Sequence, residues 1–158
     1  MKKIILIILL SCCNYLAAQA PNDCVNAITI CGNGVFSSNA SGVGIQEIVP
    51  FRCGGTEHNS IWLKVNIVQN GTLGFNIKPV DPAIAVDYDF WVYGPNPNCA
   101  SLASPIRCAT TNPLLAGLTS NHTGMNNSTI ATTRSGSRRK WLCEMARRFG
   151  KPVLLYRD

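Results

Sequence analysis

Apolar residues recur at every second position through the middle of this chain. Ile61, Leu63, Val65 and Ile67 alternate with Trp62, Lys64, Asn66 and Val68. A period of two places the first set on one face of a strand and the second on the other. Asn70-Gly71 follows, a strong short hairpin signal because both positions tolerate positive φ. Leu73, Phe75 and Ile77 then alternate with Thr72, Gly74, Asn76 and Lys78. Beyond Pro79 and Pro82 the pattern predicts a third strand from Val86 to Tyr93, with Val86, Tyr88, Phe90 and Val92 inward and Asp87, Asp89, Trp91 and Tyr93 on the other face. Ser60 to Tyr93 is thus expected to form three antiparallel strands with a tight turn at Asn70-Gly71. Shorter runs at Val25–Ile30 and Val35–Ser38 predict N-terminal strands, and Gly94-Pro95-Asn96-Pro97-Asn98 reads as a turn. No helical periodicity of any length precedes Ser128. The expected fold class is all-β, an antiparallel β-sandwich or jelly roll.

The ends of the chain have a different character. Met1-Lys2-Lys3 is a short cationic start, and Ile4 to Leu10 is an unbroken aliphatic run. The run is far shorter than the roughly 20 apolar residues of a membrane span, and it is followed by the small-residue stretch Leu16-Ala17-Ala18-Gln19-Ala20. We read residues 1–18 as a signal peptide cleaved after Ala18, with no transmembrane segment left once it is removed. Leu9-Leu10-Ser11-Cys12 is a loose lipobox, so a lipid anchor at Cys12 is the competing reading. Either way the expected location is secreted or cell-surface.

Charge confirms that the chain is not one uniform body. The net charge is +6, but from Ile4 to Ser128 there are only Arg52, Lys64, Lys78 and Arg107 against six acids. Eight Lys and Arg fall between Thr129 and Asp158. The body at 19–128 is therefore faintly acidic. A basic pI normally invites a nucleic-acid reading. Here the basicity is confined to an end segment, and no nucleic-acid partner is expected. Charged residues are 14% of the chain against 46% hydrophobic, which excludes an ordinary disordered chain or a coiled coil.

Export makes the cysteines legible as disulfides rather than metal thiolates. The candidates are Cys24, Cys31, Cys53, Cys99 and Cys108, with Cys143 in the tail. Cys99 and Cys108 flank a short loop and form the best local pair. Cys31 with Cys53, or Cys24 with Cys53, come next, and the connectivity is left open.

Catalytic patterns are sparse. There is no Gly-x-Ser-x-Gly elbow and no phosphate loop, and His58 and His122 are far apart in polar segments. Asp87 and Asp89, roughly 6–7 Å apart if both lie on one strand face, could hold calcium together with Asp81 or Glu57. They could equally be solvated residues that guard a strand edge. Trp91 and Tyr93 project from the same face, with Trp62 on the matching face of its own strand. Such a row could stack on a sugar ring or be buried by the second sheet, and burial is the favoured reading because a sandwich buries aromatics readily.

Longer stretches carry a resemblance. PNDCVNAITICGNGVFSSNASGVG, EHNSIWLKVNIVQNGTLGFNIKP, VDYDFWVYGPNPNC and PIRCATTNPLLAGLTSNHTGMN resemble, in order and wording, the N-terminal β-sandwich of large secreted proteins of gliding bacteria. Those proteins typically end in a gliding-motility-associated sorting domain read by the type IX secretion system. The Ser-x-Trp-x-Lys and Asp-x-Asp-Phe strands are also similar to CUB-like and pre-peptidase-type sandwiches. The resemblance covers Pro21 to Asn126. It implies an exported surface protein with an adhesive or binding role, without catalysis, meeting an extracellular glycan or protein surface. The alternative is an accessory carbohydrate- or protein-binding domain of a secreted hydrolase.

Thr129 to Asp158 departs from that pattern. It is rich in Arg and Lys and shows no strand alternation. Back-translated and read one base later, Arg134 to Trp141 is compatible with Gly-Pro-Gly-Pro-Asp-Gly-Asn-Gly. In the same frame Glu144-Met145-Ala146 gives a basic residue and then an obligatory Trp. Both resemble the family's continuation. We read 129–158 as a frameshift product appended to a sandwich that lacks its last strands and keeps an open edge. The competing reading is a genuine basic tail for an anionic surface. Resequencing the gene through Asp158 separates the two.

Overall fold

The computed structural model describes residues 20–48 and 53–126, together with the backbone of four later strands. The expected signal peptide at 1–18 and the lipid-bearing Cys12 lie outside the described residues, as does the side chain of Cys143. The described chain is strand-rich, and its only helical segments are 3-10 turns at Cys24–Asn26 and Cys99–Ser101.

Among the described residues eleven strands follow in order: β1 Ile28–Ile30, β2 Ile61–Val65, β3 Thr72–Leu73, β4 Phe75–Ile77, β5 Phe90–Tyr93, β6 Arg107–Thr111, β7 Thr123–Asn126, β8 Thr133–Gly136, β9 Leu142–Glu144, β10 Ala146–Arg147 and β11 Val153–Arg157. A six-stranded sheet runs β1-β2-β11-β5-β6-β8, a three-stranded sheet runs β4-β7-β9, and β3 pairs with β10. Most contacts are antiparallel, but β1 with β2, β6 with β8 and β7 with β9 are parallel. Parallel neighbours need a long crossover rather than a tight turn, and residues 31–60 supply one between β1 and β2.

The alternation in the sequence is realised as burial. Leu63, Val65 and Ile67, then Leu73, Phe75 and Ile77, pack against Phe90, Val92, Ala109 and Met125 in one apolar cluster. Strands of the six-stranded and three-stranded sheets therefore share a core. Phe75 meets Phe90 edge to face at a centroid distance of 5.1 Å. Full burial of such a side chain contributes about 1.5–3 kcal/mol; Phe90, Val92 and Met125 reach it, while the residues of β2 to β4 packed on them are partly buried.

The predicted hairpin does not form. β2 and β4 belong to different sheets, and neither pairs with β5. The reason is local. A two-residue type I′ turn needs positive φ at both central residues, and neither Asn70 nor Gly71 adopts it. The segment 66–71 is a crossover between sheets instead. The third strand is also shorter than predicted, because Val86 to Asp89 stays outside the ladder and only Phe90–Tyr93 pairs. Val35–Ser38 forms no strand. The turn after β5 is present, with a cis Gly94-Pro95 bond and Asn96 at φ 51°.

The tail differs from expectation too. It supplies β8 to β11, and β11 lies between β2 and β5 with antiparallel partners on both sides. The backbone ladder of the large sheet thus runs through the slot that would otherwise be an open edge.

One glycine sets how closely β4 and β7 approach. Gly124 lies opposite Asn76. A Cβ built there would collide with the Phe75 carbonyl oxygen and lie 3.0 Å from the Asn76 Cα, at a φ of +154°. Both obstacles are backbone and cannot rotate away. Gly124→Ala should cost about 2 kcal/mol or more, read as a lowered denaturation midpoint with an unchanged m-value.

Candidate functional site

The side chains with chemical interest gather on the face of the six-stranded sheet turned away from the shared core. β2, β5 and β6 carry apolar residues on both faces. On the outer one Trp62, Trp91, Tyr93 and Cys108 form a second cluster with Cys24, Ile48 and Cys53. Trp62 and Tyr93 stack at 5.6 Å between centroids. The face is roofed by the N-terminal segment. Trp62 donates its backbone N–H to Pro21 O at 2.7 Å, and Ser60 donates to Gly42 O at 2.9 Å. The Asn22 amide, itself buried, donates to Gly42 O and Ser60 O at 3.0 and 2.9 Å.

Two disulfides fix this roof. Cys24 is bonded to Cys99, and Cys53 to Cys108, with Cα separations of 5.5 and 6.1 Å. Four of the five predicted cysteines are thus oxidised, but none of the favoured pairings forms. Cys99 and Cys108, near in sequence, are divided by the fold. Cys99 sits on a 3-10 turn beside Cys24, while Cys108 lies on β6 opposite Trp91. Cys53 is drawn to β6 by the Thr110 hydroxyl, which donates to Cys53 O at 2.8 Å. Cys31 is free and exposed.

The stacking surface suggested for Trp91 and Tyr93 is corrected by their burial, at 1% and 2% exposure, as the favoured reading had it, although the N-terminal segment rather than a second sheet covers them. The alternation correctly turned them away from the core row, but the disulfide-tied roof covers them. Asp87 and Asp89 lie half-buried ahead of β5 rather than on a strand. Their suggested companions are engaged elsewhere. Asp81 accepts from the Ala83 N–H at 2.9 Å, and Glu57 faces Trp62. Among the described residues no group of three or more His, Cys, Asp or Glu side chains is placed to hold a metal ion.

Glu57 is the feature that sequence reasoning undervalued. It is 3% exposed. Its carboxylate accepts from the Glu47 N–H at 2.6 Å, the Gln46 amide at 3.3 Å and Trp62 Nε1 at 3.3 Å. Glu47 in turn accepts from the Cys24 N–H at 2.7 Å. Burial pushes the Glu57 carboxyl up to about 7, against the pull of these donors, and the neighbouring Glu47 adds to the rise. Burial also raises Glu47, and Tyr93 is raised by burial and by the two carboxylates. A clue was available in the sequence, since an acid five residues before a buried Trp in so charge-poor a body is a candidate partner for the indole.

The sign of the pH effect follows. A carboxyl held above its unfolded value favours the folded state most when protonated. Stability is fully present below the ordinary glutamate range and is lost as pH rises towards about 7. A shift of this size corresponds to about 3 kcal/mol. Denaturant unfolding between pH 5 and pH 8 should show that decline in the native sequence, and Glu57→Gln should lack it.

Two concave features open among the described residues. A groove of about 700 Å³ opens where the ends of β1 and β2 face β3 and β4, with Leu63, Val65, Leu73 and Phe75 in its lining and exposed Asn33, Asn66, Gln69 and Asn76 around them. A smaller pocket of about 410 Å³ lies beside the Cys24–Cys99 bridge, lined in part by Thr29, Lys64 and Asn96. No helix of the described residues is long and apolar enough to cross a membrane. Comparison with known proteins gives no matching family model, no matching curated protein and no matching solved structure.

Proposed function

We propose that this chain is a disulfide-framed β-sandwich module of an exported cell-surface protein of the gliding-motility-associated type, with an adhesive or binding role and no catalysis of its own. The observation that carries the reading is the pair of disulfides that clamps an irregular N-terminal segment over the strand core. Such bridges persist in oxidising compartments. The shared apolar cluster between two sheets supports the sandwich architecture.

The groove between β2 and β4 is the surface best suited to a ligand. Its volume of about 700 Å³ lies in the range of small-ligand sites. Side-chain amides can donate to and accept from sugar hydroxyls or an extended peptide backbone. The test is a glycan array and an envelope-binding assay with the oxidised chain. Binding that weakens in Asn66→Ala and Asn76→Ala, both on exposed positions, supports the reading. No binding in either format would defeat it.

A further inference from the structure

The chain contains two Asn-Gly pairs, Asn33-Gly34 and Asn70-Gly71. They are far apart in sequence, yet both line the groove between β2 and β4. All four residues are exposed and lie outside the strands. Among the described residues no hydrogen bond holds the Asn33 or Asn70 side chain, or the N–H of Gly34 or Gly71. Two more amides line the same groove, Asn66 and Asn76, also exposed but each followed by an isoleucine. A β-branched side chain crowds its own backbone nitrogen, whereas glycine, with no Cβ, leaves it open. The buried amides elsewhere are fastened. Asn22 Nδ2 donates to Gly42 O and Ser60 O at 3.0 and 2.9 Å, and Asn121 Nδ2 to Asp81 O and Val86 O at 2.9 and 2.8 Å.

We propose that Asn33 and Asn70 are sites of spontaneous deamidation that give the groove a negatively charged lining. The nitrogen of the following glycine, having lost its proton to solvent base, attacks the side-chain Cγ. The new N–Cγ bond closes a succinimide ring, and the Cγ–Nδ2 bond breaks. The nitrogen leaves as ammonia, with the proton it needs taken from water. Water then opens the ring at either carbonyl, leaving an aspartyl or isoaspartyl residue that carries a carboxylate. No group is oxidised or reduced. Lys78 is the one charged side chain among the described residues lining the groove, so two carboxylates there reverse the sign of its charge. Asn33 lies in the crossover after β1 and Asn70 in the segment ahead of β3. The longer backbone of an isoaspartyl residue is therefore taken up outside the described ladders. The chemistry is the same whether or not the groove takes a ligand.

Incubation of the full oxidised chain at neutral to mildly alkaline pH tests it, with each site assigned by peptide mapping and fragmentation mass spectrometry. Asn33 and Asn70 should each become heavier by the difference between OH and NH2, and the folded chain should move stepwise to a lower isoelectric point. The rate should rise about tenfold per pH unit, because the attacking nitrogen must first lose its proton. Asn66, Asn76, Asn22 and Asn121 should change several-fold more slowly. Gly34→Ala and Gly71→Ala should each slow the loss at their own site several-fold and leave the other site unaffected. Both variants keep the fold, since a Cβ at either glycine meets nothing within 4 Å and neither φ is positive. The aged chain should retain its thermal transition. Unchanged mass at positions 33 and 70, a rate that ignores pH, equal rates at Asn66 and Asn76, an undiminished loss in the alanine variants, or a thermal transition that vanishes as the mass changes would each overturn the proposal.

Discussion

Reducing both disulfides is expected to unfold the chain at neutral pH. The bridges close stretches of 75 and 55 residues. Loop-closure entropy for chains of that length contributes about 4 kcal/mol per bridge. The two loops share residues 53–99, so the second bridge adds less than the first. Even a discounted sum of about 6 kcal/mol is comparable to the whole stability of a small domain. The bridges also hold the roof over Trp62, Trp91 and Tyr93, so their loss admits water to an aromatic cluster. Thermal melts with and without reductant should differ by tens of degrees or lose the cooperative transition altogether. Cys53→Ala with Cys108→Ala should retain a transition at a lower denaturant midpoint. Non-reducing peptide mapping checks the premise: Cys24 with Cys99, Cys53 with Cys108, and Cys31 open to alkylation. A reduced chain that melts as the oxidised one does would show that the roof is held by packing alone.

How far the fold could be read beforehand depended on how local the deciding interaction was. The inward rows of β2, β4 and β5 were legible, because alternation is a property of adjacent residues and Leu63, Phe75 and Phe90 could be buried only together. Pairing was not legible. Asn70-Gly71 permits a hairpin without compelling one, and the backbone there keeps negative φ while the chain crosses to the other sheet. Disulfide connectivity failed for a related reason. Sequence proximity favoured Cys99 with Cys108, but Cys108 is set by the β5–β6 register opposite Trp91 and meets Cys53, while the 3-10 turn that carries Cys99 meets Cys24. The candidate site was misplaced because the pattern distinguishes two faces of a strand without saying what covers each. Trp91 and Tyr93 were read as a possible exposed face, and the irregular segment that covers them has no periodicity to announce it. Glu57 had only its isolation in a charge-poor body to mark it, and its role depends on Glu47 and Gln46 reaching it from ten and eleven residues away.

Trp91→Ala should separate a structural role from a ligand-stacking one. An exposed stacking Trp would lose ligand and leave stability nearly untouched. Here the ring is 1% exposed. It sits opposite Cys108 in the ladder, in one cluster with both members of the Cys53–Cys108 bridge. Gly55, at φ +87°, brings its backbone so close that a Cβ there would lie 3.1 Å from the Trp91 ring. The surroundings are backbone, a disulfide and neighbouring strands, none of which can collapse into the space the indole leaves. Large-to-small changes in such unyielding sites fall at the upper end of the usual range, about 3–5 kcal/mol. Trp91→Phe keeps most of the volume and should cost about half as much. Gly55→Ala, which presses on the same ring from the other side, should also destabilise, with an effect smaller in Trp91→Phe than in the native background because the two positions are coupled. Denaturant unfolding of the four chains in the oxidised state measures the cycle. A Trp91→Ala chain within about 0.5 kcal/mol of the native one, the range of a surface substitution, would return the indole to the surface and revive the stacking role.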